Sequence, residues 1–539
     1  MPADPGRRSS LTFKPRAYLV AWCLFLLVSC QVQPESTPGA RTAVPLENTP
    51  TAQSDPTQGF EATSSPAPTA LPTSSPLASP LVTPHIHPTS TSEPSIAAST
   101  RYELDAVFDY YQHTLSVTET VRYVNPSPDT LTDLLLVVEP NRWFGGFSLV
   151  SLSLLNGETL TQYELQDAQL RITLPQGLAP SAELGFQVGY NLLLPAIAPP
   201  SDYQRPQPYG YTARQTNIVD WYPYVPPYQP GEGWLVHEPG WFGEHQVFDV
   251  ADFDVKLSLA QPVKDLAIAA SAPAEQAGET YTYHLEAART FALSASNEYL
   301  VQSTTIGEVT IYSYSFPYDK YSGQQVLEDT ANAVQLFSQL ISPYPHLTLS
   351  AVEADFFDGM EYEGLYFLSH GFYDLYDGTP KGYLTFIAAH ETAHQWWYGM
   401  VGNDQALEPW LDEALCTYME HIFYENVYLD YMVSSSQSMV DWWWFYRVNF
   451  YDPEGWVDGT IYDFSYFRSY RDAVYLNGAK FLDALRLRIG DQAFFAFLRD
   501  YASQKRYQLA TAADFFAILS EHSSEDLDDL LAQYFQGEN

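Results

Sequence analysis

The sequence predicts a multidomain chain: an all-β part in residues 101–303, followed by an α+β part in residues 304–539 that ends in helices. The first prediction rests on alternating apolar residues bounded by turn signals. The second rests on apolar residues at helical spacing and on a His-Glu-x-x-His pentapeptide among them. At 539 residues with 46% apolar content, the chain is too long for one domain and can fill more than one core.

Residues 1–30 have the pattern of an export signal. Four basic residues precede a short apolar run, residues 17–28, that is too short for a comfortable transmembrane helix. The run ends in Leu-Val-Ser-Cys, which resembles a bacterial lipoprotein box. We therefore expect Cys30 to be lipidated and to hold the chain on the outer face of a bacterial membrane, in the cell envelope. An uncleaved anchor and an ordinary signal with a chance cysteine are the alternatives.

Residues 31–100 are dominated by Pro, Ser, Thr and Ala, with few charges and no periodic apolar pattern. Such a composition cannot form a core. We expect a partly extended linker that holds the rest of the chain away from the membrane surface.

The β part is predicted from apolar residues that share one parity along each stretch. Three stretches show it: Leu115, Val117, Val121 and Tyr123; Leu184, Phe186, Val188 and Tyr190; and Phe253, Val255, Leu257 and Leu259. Asn156-Gly157 is a turn signal between two such stretches. Residues 195–240 are rich in Pro, Tyr and Trp, and we expect an ordered loop packed on its own aromatic residues, with a peptide-binding surface as the alternative.

The α+β part contains His390-Glu391-Thr392-Ala393-His394. On a helix, residues four apart lie on one face, so both histidines can bind one zinc ion while Glu391 points at its open position. Eighteen residues separate His394 from Glu413, which lies in a second apolar helical run. A His, His, Glu set with a fourth place for water is the catalytic zinc pattern. A chance pentapeptide would need no glutamate at a set distance.

This spacing resembles that of the zinc aminopeptidases related to aminopeptidase N, of the gluzincin type. Gly359-Met360-Glu361 is similar to the family's G-x-M-E-N element, which binds the free amino terminus of the substrate, and Tyr475 is similar to the tyrosine that stabilises the tetrahedral intermediate. The resemblance is strong from about residue 352 to residue 488. It implies a saddle-like β domain before a thermolysin-like catalytic domain. Asp358 and Tyr362 depart from the family's glycine and asparagine, which leaves the shape of the first specificity pocket open.

The resemblance implies a zinc-dependent aminopeptidase that acts on peptides, with one zinc ion per chain and Glu391 as general base. Many members continue into an all-helical cap domain; because this sequence ends at Asn539, we expect that domain to be absent and the site to be more open. Two other functions stay open: a zinc endopeptidase with an open cleft, and a surface-anchored peptide-binding protein without turnover.

Three further features of the sequence allow more than one interpretation. Glu420 is either an acid that orients a zinc-binding histidine or a surface residue. Cys416 is the one cysteine left after Cys23 and Cys30, which excludes an intrachain disulfide framework; we expect a small buried residue rather than a fifth ligand or an inhibitory thiol. The aromatic run around Trp442–Trp444 forms either a cleft wall or core filling.

The charge of the chain restricts its partners. Asp and Glu outnumber Lys and Arg by 65 to 25, which gives a net charge of −40. This balance argues against nucleic acid and against electrostatic binding to anionic lipid headgroups. The expected partners are peptide substrates and, through Cys30, a membrane, and the oligomeric state is left open.

Overall fold

The structure is a computed structural model that describes residues 100–198 and 207–537. All of these residues belong to one compact unit, Thr91–Asn539. The predicted export signal, the expected lipidation at Cys30 and the predicted linker up to residue 99 lie outside the described residues, and the last residue of that linker, Thr100, begins the first strand. Among the helices of the described ranges, none combines the length and the hydropathy that crossing a bilayer requires.

The first part of the described chain is built from strands, as the alternating pattern predicts. In chain order they are β1 (Thr100–Asp109), β2 (Thr114–Val124), β3 (Leu131–Val137), β4 (Phe147–Leu154), β5 (Tyr163–Gln166), β6 (Gln169–Leu178), β7 (Glu183–Leu193), β8 (Gly210–Tyr211), β9 (Thr216–Ile218), β10 (Tyr228–Gln229), β11 (Gly233–Trp234), β12 (Ala251–Leu259), β13 (Ala267–Ala270), β14 (Ala274–Ala277), β15 (Thr280–Ala288) and β16 (Leu293–Ser296).

A seven-stranded sheet in the order β14-β15-β12-β1-β2-β7-β4 forms the frame of this part. Smaller sheets, β3-β6-β5 and β13-β16-β9-β8, accompany it. One face of the large sheet is buried because its strands carry apolar residues at every second position; β12, for example, buries Phe253, Val255, Leu257 and Leu259. Between β7 and β12 the chain has short strands and loops, in which Trp221 is fully buried and Trp241 is exposed.

The second part combines one mixed sheet with helices. Its strands are β17 (Leu300–Ile306), β18 (Val309–Ser315), β19 (Thr348–Ala354), β20 (Gly359–Tyr362), β21 (Leu365–Ser369), β22 (Gly402–Asn403), β23 (Met432–Ser434), β24 (Gln437–Ser438) and β25 (Leu509–Ala510). Its helices are α1 (Lys320–Leu340), α2 (His370–Asp374), α3 (Tyr383–Ala393), α4 (Trp410–Val427), α5 (Met439–Trp443), α6 (Phe467–Tyr470), α7 (Gly478–Ile489), α8 (Asp491–Gln504), α9 (Ala512–His522) and α10 (Asp528–Tyr534).

The mixed sheet has the order β17-β18-β19-β21-β20, so β20 lies at its edge. Strand β17 begins at Leu300 and pairs with β18, so the expected border between residues 303 and 304 falls inside this strand. The alternation of a strand predicts a parity but not the sheet to which the strand belongs, and pairing with β18 assigns β17 to the second part.

Strands β19 and β21 of the mixed sheet are buried on both faces, and neighbouring residues of β21 point to opposite cores. Tyr366 and Leu368 pack in the core that contains α1, α3 and α4. Leu365 and Phe367 pack in the core of the β part. Long apolar runs such as Thr348–Ala354, all of it buried, are typical of strands covered on both faces.

One buried arginine links the β part to the helical part. The Arg289 guanidinium donates hydrogen bonds to the backbone carbonyls of Phe248, Tyr398, Gly399 and Gln508, at 2.6–3.1 Å. The backbone N–H of Arg289 donates to Glu363, 2.6 Å away. These bonds fix the chain that follows α3 against the β part. The order of a strand-rich part, a mixed sheet and terminal helices confirms the fold class that the sequence predicts.

Candidate active site

Helix α3 places both predicted histidines in the interior. Its residues from Leu384 to Ala393 are all buried, because the helix lies between the mixed sheet and α4 and is apolar on all sides. The helix begins after Gly382, whose φ of 143° suits glycine best. His390 lies in the last turn and His394 at the C-cap, one turn apart, with their ring centroids 4.9 Å apart.

Helix α4 brings Glu413 to the two histidines from its first turn. Glu413 Oε2 lies 3.1 Å from His390 Nε2 and 3.6 Å from His394 Nε2. One ligand atom from each of the three residues falls within 4.8 Å of the other two, and all three side chains are buried. The structure therefore brings together the three residues that the sequence predicts as zinc ligands.

The other nitrogen of each ring already has a partner. His390 Nδ1 is 3.0 Å from Glu420 Oε1, and His394 Nδ1 is 3.1 Å from the carbonyl oxygen of Trp397. Because both acceptors take a proton from Nδ1, the Nε2 atoms are the ones that can release their proton and offer a lone pair to a metal beside Glu413. This donor set fits a divalent zinc ion, which takes imidazole nitrogen and carboxylate oxygen.

The electrostatics at the three ligands favour positive charge between them. Burial alone would lower the pKa of His390, but its hydrogen bonds to Glu413 and Glu420 raise that pKa to about 9. Burial alone would raise the pKa of Glu413, but His390 and His394 hold it well below its ordinary value. A carboxylate that stays ionised between two imidazoles stabilises a cation at this point, whether the cation is a proton or a metal.

Glu391 is buried beside the ligands and has an unused oxygen. Its Oε2 atom has no hydrogen-bond partner, and burial raises the pKa of this carboxyl to about 8. Glu361, Glu391 and His394 each offer an atom within 4.8 Å of the other two. A buried carboxylate oxygen without a partner can accept a proton from a water or an amine brought beside it.

The predicted element Gly359-Met360-Glu361 forms β20, at the edge of the sheet and next to α3. A side-chain carbon on Gly359 would collide with the Glu391 carboxylate and would meet Ile387 at 3.1 Å, so glycine here leaves the space that the Glu391 carboxylate occupies. Glu361 is buried and accepts a hydrogen bond of 3.2 Å from Gln405. Met360 is also buried.

The two departures from the family pattern lie on either side of this element. Asp358 has a φ of 78°, in the left-handed region where glycine is favoured, and its carboxyl interacts electrostatically with Arg447. Tyr362 packs in the core of the β part, and its hydroxyl donates to Asp220 at 3.2 Å. Its side chain therefore contributes to the junction with the β part.

Tyr475 lies beside both Glu413 and His390. Its hydroxyl donates to Glu413 Oε1 at 2.5 Å, and its ring stacks on that of His390 with centroids 5.9 Å apart. It belongs to a π-helical turn, Arg471–Asn477, between α6 and α7. Such turns are frequent at functional sites because they change the direction of a side chain within a continuous helix.

Glu420 is fully buried and does not belong to the surface. Its carboxylate accepts from His390 Nδ1 at 3.0 Å, from Trp443 Nε1 at 3.0 Å and from Arg447 Nε and Nη2 at 3.0 and 2.9 Å. Arg447 has no local sequence signal, because its partner lies 27 residues before it. Cys416 is buried, with its thiol 3.8 Å from the Trp397 carbonyl oxygen. It belongs to none of the clusters of potential metal ligands that the described residues form.

The aromatic run is part core and part cleft wall. Trp443 is fully buried and reaches Glu420, whereas Trp442 lies at the wall of a cavity. A larger cavity of about 530 Å³ opens over the predicted ligands. Its walls bring acids and arginines together: Glu244, Asp358, Glu361, Glu391, Glu413, Arg447 and Arg471.

A mixed sheet, the helix that carries both histidines and a glutamate from the next helix define a metallopeptidase type of site. Residues 326–534 match the Peptidase family M1 domain. This part of the chain is a Peptidase family M1 domain, and the predicted resemblance is confirmed. Zinc is the metal that the family implies for His390, His394 and Glu413.

The related proteins agree with this assignment. Aminopeptidase M1-D of Oryza sativa subsp. japonica is 24% identical over 227 residues, which cover 39% of this chain and 25% of the rice protein. Aminopeptidase M1-B of the same plant is 24% identical over 243 residues, 43% of this chain and 28% of that protein. The chain thus matches only about a quarter of the length of these curated relatives.

Solved structures show the fold over most of the chain. The M1 zinc metallopeptidase from Deinococcus radiodurans superposes with a TM-score of 0.55 at 16% identity, covering 80% of this chain and 92% of that one. A mutant of that enzyme bound to a Tyr-Ser-Ala substrate gives a TM-score of 0.57 at 17% identity, covering 81% and 94%.

The site predicts that Glu420 is needed for tight zinc binding. In the variant Glu420→Gln, we expect zinc affinity to fall about 10- to 100-fold, because the acceptor that holds the His390 ring is weakened. A titration against a competing chelator measures this affinity. Glu425→Gln is the matched control, since Glu425 lies on the same helix and pairs with Arg486 instead. Equal zinc affinity in both variants would contradict the role of Glu420.

Proposed function

We propose that this protein is a zinc-dependent aminopeptidase that removes the first residue from peptides. One observation carries the proposal: Glu361, Glu391 and His394 lie within one cluster, with atoms within 4.8 Å of one another. An α-ammonium group bound at Glu361 would therefore bring the first peptide bond of a substrate to the metal ligands. The family domain and the tripeptide bound by the Deinococcus enzyme support peptides as the substrate class.

The small cavity next to Glu361, on its side towards the β part, favours the removal of single residues over the cleavage of internal bonds. A cavity between Glu361 and the β part has a volume of about 40 Å³. One water takes about 30 Å³ in the liquid, so this space does not admit further residues before the bound amine. The geometry thus favours an exopeptidase over the endopeptidase alternative.

The residues of the chain divide the work of hydrolysis. When bound, zinc supplies Lewis acidity that polarises the scissile carbonyl and lowers the pKa of a water towards ~7. The unpartnered Oε2 of Glu391 accepts the proton of the attacking water, and the same carboxyl delivers it to the leaving nitrogen. Glu361 binds the α-ammonium group.

Tyr475 acts on the carbonyl oxygen. Its hydroxyl lies 2.5 Å from Glu413, so a small rotation directs it to an oxygen that develops negative charge beside the ligands. The loss of one such donor typically lowers the rate about 100- to 1000-fold.

The first test uses aminoacyl-amide reporters and their N-acetylated twins with the zinc-loaded protein. We expect cleavage of the free-amine set only, a preference of at least about 100-fold because the Glu361 carboxylate needs a cationic partner, and loss of activity with a chelator. Glu361→Gln should reduce this preference. Cleavage of both sets at similar rates would identify an endopeptidase instead, and cleavage of neither with zinc bound would contradict the enzymatic proposal.

A pair of variants separates the general base from the metal. Glu391→Gln should retain zinc and lose about 100- to 10,000-fold in kcat, because only proton transfer is removed. His394→Ala should lose both zinc and activity. His522→Ala, whose ring pairs with Asp500, serves as a histidine control that should change neither. Zinc content, measured together with the rate, distinguishes loss of the base from loss of the metal. An active Glu391→Gln variant would disprove the role of Glu391 as general base.

We also propose that the chain is exported and held on a membrane by lipid at Cys30. The support is the sequence alone: basic residues, a short apolar run and Leu-Val-Ser-Cys at residues 27–30. Expressed in a bacterium, the protein should partition into detergent, whereas Cys30→Ser should shift it to the aqueous phase. Cys23→Ser is the control within the same segment. Partitioning that does not depend on Cys30 would reject the lipid anchor.

A further inference from the structure

A second cavity adjoins the one over the metal ligands. It has a volume of about 350 Å³ and shares part of its wall with the larger cavity: Phe372, Leu375, Tyr383 and Arg447 line both. We call it the aromatic annex, because seven of its lining residues carry large rings: Phe372, Tyr376, Tyr383, Phe386, Trp442, Tyr446 and Tyr451. The annex is large enough for an amino-acid side chain and shares four lining residues with the cavity over the metal ligands.

The rings of the annex are held in place by one another. Trp442 stacks on Tyr446 with centroids 5.3 Å apart and an interplanar angle of 14°. Among the other lining residues, Phe372 stacks on Tyr383 with centroids 5.6 Å apart and an interplanar angle of 8°. Arg447, fixed by Glu420, lies over the ring of Phe386 at 4.9 Å. A slot with preformed ring faces favours an aromatic occupant, since ring pairs gain energy beyond their buried area.

A peptide bound with its amine at Glu361 would extend towards this slot. If the amine lies at Glu361, the peptide follows the open edge of β20 towards Gly359, which packs against Glu391 and Ile387. It then passes Asp358 and Phe357, which line the larger cavity. On α3, the same direction runs from Glu391 past Ile387 to Tyr383, at the mouth of the annex.

The length of this path limits which residues can reach the annex. From Glu391 to Tyr383 the helix rises about 12 Å. Each extended peptide residue spans about 3.3 Å, and a large side chain adds its own length. The first residue is held back by Glu361, so only residues after the scissile bond approach the mouth.

We propose that the aromatic annex binds an aromatic side chain from one of the two residues that follow the scissile bond. The inference deepens the aminopeptidase proposal and rests on it. It gives the enzyme a second specificity site, separate from the one that holds the first residue. The substrate class is therefore short peptides with Phe, Tyr or Trp at the second or third position.

The test compares three peptides with the same first residue and a C-terminal amide: Leu-Ala-Ala, Leu-Phe-Ala and Leu-Ala-Phe. We expect kcat/KM for at least one phenylalanine peptide to exceed that for Leu-Ala-Ala by about tenfold. A leucyl-amide reporter, which has no residue after the scissile bond, serves as the reference substrate.

Two neighbouring residues provide a matched pair of variants. Tyr446 and Phe445 are exposed to 51% and 52%, but only Tyr446 lines the annex. Tyr446→Ala should reduce the phenylalanine preference to about twofold and leave the rate on the leucyl reporter unchanged. Phe445→Ala should keep both. Circular dichroism and zinc content confirm that each variant is folded and loaded.

The outcomes separate the two proposals. No cleavage of any aminoacyl-amide reporter by the wild-type protein with zinc bound would overturn the proposed function itself. Cleavage of the reporter without a preference among the three peptides would overturn the annex alone. An equal loss of preference in Phe445→Ala and Tyr446→Ala would also overturn it, because the effect would then not come from the lining of the cavity.

Discussion

The site depends on the hydrogen bonds that the buried carboxylate of Glu420 accepts. An ionised group without solvent is costly unless each oxygen has donors. Here His390, Trp443 and Arg447 supply them, from α3, α5 and the turn that follows. One carboxylate therefore fixes the orientation of a zinc-binding ring, the position of a core tryptophan and the arginine that stands between the two cavities.

A second constraint comes from the close approach of β20 to α3. Because Gly359 has no side chain, the edge of the sheet lies against Glu391 and Ile387. A side-chain carbon at this position would displace the Glu391 carboxylate from its place beside Glu361. The absence of a side chain at Gly359 thus keeps the proposed base close to the residue proposed to bind the amine.

Local spacing allowed the sequence to predict the centre of the site. His390 and His394 share a helix face whatever the rest of the fold is, and Glu413 belongs to the next apolar helix. Parity likewise predicted the buried faces of β2, β7 and β12. Arg447, Arg289 and the π-helical turn around Tyr475 were not predicted, because their positions follow from contacts between distant segments. The consequence of having Tyr362 in place of the family's asparagine also could not be predicted from the sequence, because its hydroxyl donates to Asp220, a residue far away in the chain.

The aromatic run shows why composition alone left its role open. Trp443 and Trp442 are adjacent in a short helix, so their side chains leave it in different directions. Trp443 completes the partners of Glu420, while Trp442 stacks on Tyr446 in the wall of the annex. Removal of the whole segment would therefore disturb zinc binding before it revealed anything about substrate. A change at the half-exposed Tyr446 tests the wall apart from the core, since its ring packs on Trp442, Phe445 and Phe450.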